Sequence, residues 1–173
     1  GYIKEWGMEQ ILRDSRIATL YEGTTGIQAL DLIGRKTLLD NFQQLKIFTG
    51  EMLSCATGHL FSTKSNSTLR KQAWTVVKLA LKWRYLGFRI GLQAKRNRDA
   101  IGASSVDYLM FSGYAYMAFM WLMMAVQAQK KLDQEEGDSQ FFQDKLHSAK
   151  FFFERFLPQA STHAKTIRAN LES

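Results

Sequence analysis

Cysteine, proline and histidine are all scarce in this 173-residue chain, and each scarcity excludes something. A lone cysteine, Cys55, cannot close an internal disulfide. His59, His147 and His163 are too scattered for zinc-ligand spacing, so no disulfide scaffold and no metal site are expected. One proline, Pro158, stands where a frequency of about 5% is usual, which argues against disordered, collagen-like and all-β chains. A leader is also lacking: the chain opens mid-pattern at Gly1-Tyr2 with no initiating Met, charged n-region or cleavage site, so the expectation is a piece of something longer. What is present is 46% apolar residues, 13% aromatics and seven Met, enough for about one domain whose core is built from long helices.

The net charge of +7 is unevenly placed. Between Lys64 and Arg98 there are ten Lys or Arg and no acid, while acids gather at Asp133, Glu135, Glu136 and Asp138. A basic segment interleaved with Trp74, Trp83, Tyr85 and Phe88 suits nucleic acid, acidic lipid or an acidic partner. The stronger reading is a helix with a solvated basic face. Leu69, Ala73, Val76, Ala80, Trp83, Gly87 and Ile90 step by four and three into one apolar seam, and Lys71, Lys78, Lys82 and Arg89 fall away from it. No helix-turn-helix, P-loop or RNA-binding motif accompanies the charge, so nucleic acid is not an expected partner.

Periodicity predicts an all-α protein of five helices. The first runs from about Ile3 to Ala18, with Met8, Ile11, Leu12 and Ser15 on one side. The second starts after Thr24 or Thr25 and continues through Leu38, Phe42, Leu45, Phe48 and Met52 toward Leu60, with Gly34 and Gly50 as weak points. After a polar loop at Ser62–Ser67, the basic helix occupies about Ser67 to Arg98. A break is expected at Gly102–Ser105, with Ser104 or Ser105 as cap and Asp107 in the first turn of a fourth helix ending near Leu132. An acidic turn, Asp133–Ser139, precedes a last helix carrying Phe142, Leu146, Ala149, Phe153 and Phe156; Pro158 kinks or stops it before a segment reaching about Leu171. Short connections favour an up-down bundle. The nineteen residues from Tyr108 to Val126 carry no charge, just enough to span a bilayer. A buried bundle helix or subunit contact explains them equally simply, and no membrane span is expected.

Chemistry enters with the first 36 residues. The run Glu5-Trp6-Gly7-Met8-Glu9-Gln10-Ile11-Leu12-Arg13-Asp14-Ser15-Arg16-Ile17, then Tyr21-Glu22-Gly23-Thr24-Thr25-Gly26-Ile27-Gln28, resembles the C-terminal end of the acyl-CoA dehydrogenase catalytic domain. Gly1-Tyr2 looks like the tail of that family's Gly-Gly-x-Gly-Tyr segment. Ala29-Leu30-Asp31-Leu32-Ile33-Gly34-Arg35-Lys36 is similar to the subgroup with an extra C-terminal helical domain, the 3-methylmercaptopropionyl-CoA dehydrogenase type. Lys145-Leu146-His147-Ser148-Ala149-Lys150-Phe151-Phe152 with Phe156-Leu157-Pro158 resembles the end of that extension more loosely. The implied domains are residues 1–45, the end of the catalytic domain, and 46–173, an appended helical bundle.

The resemblance implies an enzyme that oxidises an acyl-CoA thioester to the trans-2-enoyl-CoA with FAD. Glu22 is then the base that removes the α-proton while hydride leaves the β-carbon. An α-C–H is a poor acid, so such a base has to sit in a dry pocket where burial raises its basicity. In the family the thioester carbonyl is held by the base residue's own N–H and a flavin hydroxyl. Gly23 matches a substrate-contact position where a missing side chain lets the thioester approach the backbone. Tyr21 either lines the pocket or packs in the core. Thr24, Thr25 and Gly26 match FAD-contact positions, Gly26 standing where many relatives have Gln. Further implications are an electron-transfer flavoprotein as redox partner, a homodimer, a bacterial cytoplasmic or mitochondrial matrix location, and a chain that is inactive alone. Arg13 and Asp14 read as a surface or structural ion pair before a functional one. The alternative to an enzyme is a non-enzymatic helical interaction or oligomerisation module.

Overall fold

The structure, a computed structural model, describes residues 3–20, 24–61 and 66–172. Among these there is no strand, and the all-α architecture expected from the sequence is what is found. The elements are α1 (Met8–Ser15), α2 (Ile17–Leu20), α3 (Thr24–Leu30), α4 (Gln43–Leu60), α5 (Ser67–Ala94), α6 (Asp99–Asp133), α7 (Ser139–Phe151) and α8 (Gln159–Glu172). A 3-10 turn, Lys4–Trp6, precedes α1, and π-helical stretches, Asp31–Leu39 and Phe152–Phe156, extend α3 and α7. Consecutive long helices return alongside one another, and α6 is the axis against which α3, α5, α7 and α8 pack.

The seam read from α5 is the seam observed. Leu69, Ala73, Val76, Ala80, Trp83, Gly87 and Ile90 are buried, whereas Lys71, Lys78 and Lys82 are exposed. Asn66 starts this helix by accepting a 2.8 Å bond from Leu69 N–H, satisfying one of the donors a helix N-terminus leaves unpaired. Across the core, α6 contributes Tyr108, Phe111, Ala115, Ala118, Leu122 and Ala125, two large rings and a leucine among alanines that let neighbouring helices close in. By length and composition α6 could cross a membrane; in the structure it packs against α3, α5, α7 and α8.

Three boundaries differ from the sequence expectation. The first helix is broken twice: Gly7 adopts a left-handed conformation (φ 65°) and α1 stops before Arg16. The break expected at Gly102–Ser105 lies instead at Lys95–Arg98, where Asn97 Oδ1 accepts from Asp99 N–H at 2.9 Å and opens α6. Gly102, Ser104 and Ser105 run on inside the helix, because Ser104 and Ser105 are buried against neighbours and Asn170 of α8 donates to Ala103 O; packing outweighs weak helix propensity. The continuous second helix is interrupted at Asp40–Phe42, where Asn41 (φ 50°) and Phe42 (φ 64°) are left-handed and Asp40 Oδ2 accepts from Gln44 N–H to begin α4. The ring of Phe42 lies against Gly87 and Gly91 of α5; a Cβ on Gly91 would stand 2.9 Å from Leu38 and 3.2 Å from the ring. Pro158 acts as expected. Having no N–H to continue the helix, it closes the π-turn in which Leu157 N–H reaches Phe152 O, and α8 then starts at Gln159.

Candidate functional site

Tyr21, Glu22 and Gly23 lie outside the described residues, between the end of α2 at Leu20 and the start of α3 at Thr24. Thr24, Thr25 and Gly26 form the first turn of α3, and all three are exposed. Nothing stands within 4 Å of where a Gly26 side chain would begin. This turn is anchored one and two turns later, where Ala29 and Ile33 are fully buried within the bundle that α3 and its π extension join.

The flanking elements carry apolar side chains that the bundle does not cover. Ile3, Trp6, Met8, Ile11, Leu12, Ile17 and Leu20 are all at least half exposed, and α1 has no buried residue. Arg13 and Asp14 do not pair with each other. Arg13 Nη2 donates to Glu9 (3.0 Å) and Gln10 (2.8 Å), and Asp14 accepts from Gln10 Nε2 at 2.8 Å, as turn-spaced partners on a helix surface do.

Downstream of the motif, the π segment, α4, α5 and α6 border an open cleft of about 420 Å³. Arg35, Lys36, Asp40 and Gln44 stand around it, and Leu45, Phe48, Trp83 and Tyr108 form its apolar wall. Arg35 forms a bidentate bond with Asp31, whose carboxyl is held below the usual range by that contact, with Lys36 3.5 Å away. Burial pushes the Tyr108 phenol up to about 12; its oxygen lies 3.4 Å from Thr37 Oγ1, which itself donates to Leu32 O at 2.8 Å. The indole N–H of Trp83 lies buried near that phenol, with no well-formed hydrogen bond among the described residues. Sequence reasoning gave none of Thr37, Trp83 or Tyr108 a polar role. No local signal could have done so, since the cleft joins positions 32 to 108 through the Phe42 turn.

Two further contacts join helices within the bundle. His163 Nδ1 and Asp107 Oδ1, 2.7 Å apart, tie α8 to α6, and Tyr114 stacks on the same imidazole. Cys55 sits half-buried beside Met123, with its thiol pushed up by burial, the reverse of what a reactive cysteine needs.

Residues 48–173 match the family described as acetyl-CoA dehydrogenase C-terminal like. The chain belongs to that family. It is also 31% identical over 172 residues to 3-methylmercaptopropionyl-CoA dehydrogenase of Ruegeria pomeroyi, an alignment covering 96% of this chain and 28% of that protein. A second relative, the broad-specificity linear acyl-CoA dehydrogenase FadE5 of Mycobacterium tuberculosis, is 29% identical over 173 residues with the same two coverages. This chain therefore spans 28% of the length of the curated relatives it matches. Both similarities extend N-terminal to the family match at residue 48, so they take in the segment that carries Glu22 and the threonines of α3.

Proposed function

We propose that this chain supplies the end of the catalytic part (residues 1–45) and an appended helical bundle (46–173) of an FAD-dependent acyl-CoA dehydrogenase, which oxidises an acyl-CoA thioester to the trans-2-enoyl-CoA. The observation that carries this reading is similarity to two acyl-CoA dehydrogenases over 96% of the chain, combined with a carboxylate at position 22 of the Tyr-Glu-Gly-Thr motif. In this reading FAD, when bound, supplies the hydride acceptor. Glu22 takes the α-proton, and its backbone N–H holds the thioester carbonyl where enolate charge develops. Gly23 leaves room for the thioester, Tyr21 forms pocket wall, and Thr24, Thr25 and Gly26 meet the cofactor. Electron-transfer flavoprotein as electron acceptor, a homodimeric parent and a cytoplasmic or matrix location belong to the same proposal.

The test is Glu22→Gln in the full-length enzyme. The amide keeps the shape but cannot accept a proton, so turnover falls by at least about a hundredfold while flavin content and acyl-CoA binding persist. A variant keeping more than about a tenth of wild-type turnover would place less than about 1.4 kcal/mol of the barrier on this residue and put the base elsewhere.

A further inference from the structure

The seam of α5 faces the core, but the opposite side of the same helix is not the purely polar surface that a solvated face would be. Trp74, Leu81, Tyr85, Phe88 and Leu92 are each between 44% and 53% exposed. Their spacing of seven, four, three and four residues puts them on one line about 27 Å long at 1.5 Å per residue. Lys71, Lys78, Lys82, Lys95 and Arg96 surround this line, and among the described residues none of the five enters an ion pair. Where α5 borders α8, two small pockets open beside the line. One, of about 290 Å³, includes Lys78, Lys82 and Ser161; the other, of about 270 Å³, includes Arg89, Lys95 and Arg96. Neither contains an acidic residue, and each has room for a phosphate.

We propose that this outer face of α5 docks on an anionic lipid surface. The aromatic and leucine side chains enter the boundary between headgroups and acyl chains, and lipid phosphates settle in the two basic pockets. A line of large apolar side chains flanked by Lys and Arg on an exposed helix is the arrangement of a helix lying in a membrane interface, apolar groups entering it and cations at the headgroups. Charge selects the leaflet, since each added cation strengthens attraction to anionic lipid, and the apolar line supplies what charge alone would not. A phosphate polymer such as duplex DNA would satisfy the cations but leave the leucines unburied. The contact is peripheral and leaves α6 within the bundle.

The test is vesicle co-sedimentation, at near-physiological salt, of both the 173-residue chain and the full-length enzyme. Vesicles of phosphatidylcholine alone are compared with vesicles containing phosphatidylglycerol. The expected result is at least about tenfold stronger binding to the anionic vesicles, weakened by salt, with Trp74 fluorescence quenched by brominated acyl chains. Lys78→Gln with Lys82→Gln, and separately Leu81→Ser with Phe88→Ser, should each reduce binding about tenfold in protein whose circular dichroism is unchanged. Equal binding to both vesicle types overturns the proposal, as does loss with the charge variant but not the apolar one. So does binding by the short chain but not by the full-length enzyme, which would mean that protein covers this face. Tight binding to duplex DNA with none to vesicles would overturn it as well.

Discussion

A phenol buried in an apolar wall ionises only at a cost, and Tyr108 therefore links the stability of the bundle to alkaline pH. Its ordinary value is 10.0, and burial raises it to about 12 in the folded chain. Between these limits the unfolded state has lost a proton that the folded state keeps, so stability falls as pH rises. The slope approaches 1.4 kcal/mol per pH unit and totals about 2–3 kcal/mol by pH 12. The full contribution is present below pH 10. Tyr108→Phe should remove this part of the alkaline loss while changing stability at pH 7 by under about 1 kcal/mol, because the contact to Thr37 is long at 3.4 Å. Denaturant unfolding of both proteins at pH 8 and pH 11 measures it, and parallel losses in the two would contradict it. Which residues face the core of α5 was legible in the sequence, because a strict period of three and four needs only a straight helix. The polar environment of Tyr108 was not, because it depends on the path of a different segment, residues 37 to 45.

Helix interiors were easier to read than helix ends. The seam of α5, the acidic turn before α7 and the effect of Pro158 follow from local chemistry, and each is found where expected. Gly102 and the paired serines, by contrast, look like a break only when their burial is unknown, and the true break at Lys95–Arg98 contains no glycine or proline. The cap at Asn66 is a local device with a measurable size. Asn66→Ala removes both the bond to Leu69 N–H and a 3.0 Å bond to Gln129, and should cost about 1 kcal/mol in denaturant unfolding; no measurable loss would show that the cap is dispensable. Gly91 tests the close approach of the Phe42 turn to α5. Gly91→Leu puts a branched side chain where even a Cβ lies 3.2 Å from the Phe42 ring, so a loss of about 1–3 kcal/mol is expected despite better helix propensity. A more stable variant would mean that the turn moves aside freely.

At the scale of the molecule, the apolar sides of α1 and α2 and the outer face of α5 are among the apolar surfaces that the described bundle leaves uncovered. The first brings the motif segment to the edge of the bundle, with Thr24, Thr25 and Gly26 open to solvent. One exposed edge buries little of a cofactor, and a site needs most of its walls to hold one. The isolated chain should therefore purify with well under stoichiometric flavin and reduce no dye in the presence of acyl-CoA; a yellow, active chain would contradict this. Because α6 packs against four neighbouring helices, the same chain should be recovered without detergent after a high-salt wash, whereas recovery only from membranes would contradict the bundle.

The central claim, that Glu22 is a base for an α-proton, is tested most directly by watching that proton rather than the full reaction. A 3-thia acyl-CoA has sulfur in place of the β-carbon, so no hydride can leave, yet its α-hydrogens can still be removed and returned. The full-length enzyme, incubated with this analogue in deuterium oxide, should introduce deuterium at the α-carbon, read by mass spectrometry. With Glu22→Gln the exchange should fall by at least about a hundredfold while the analogue still binds. Exchange by the variant at the wild-type rate would contradict the account.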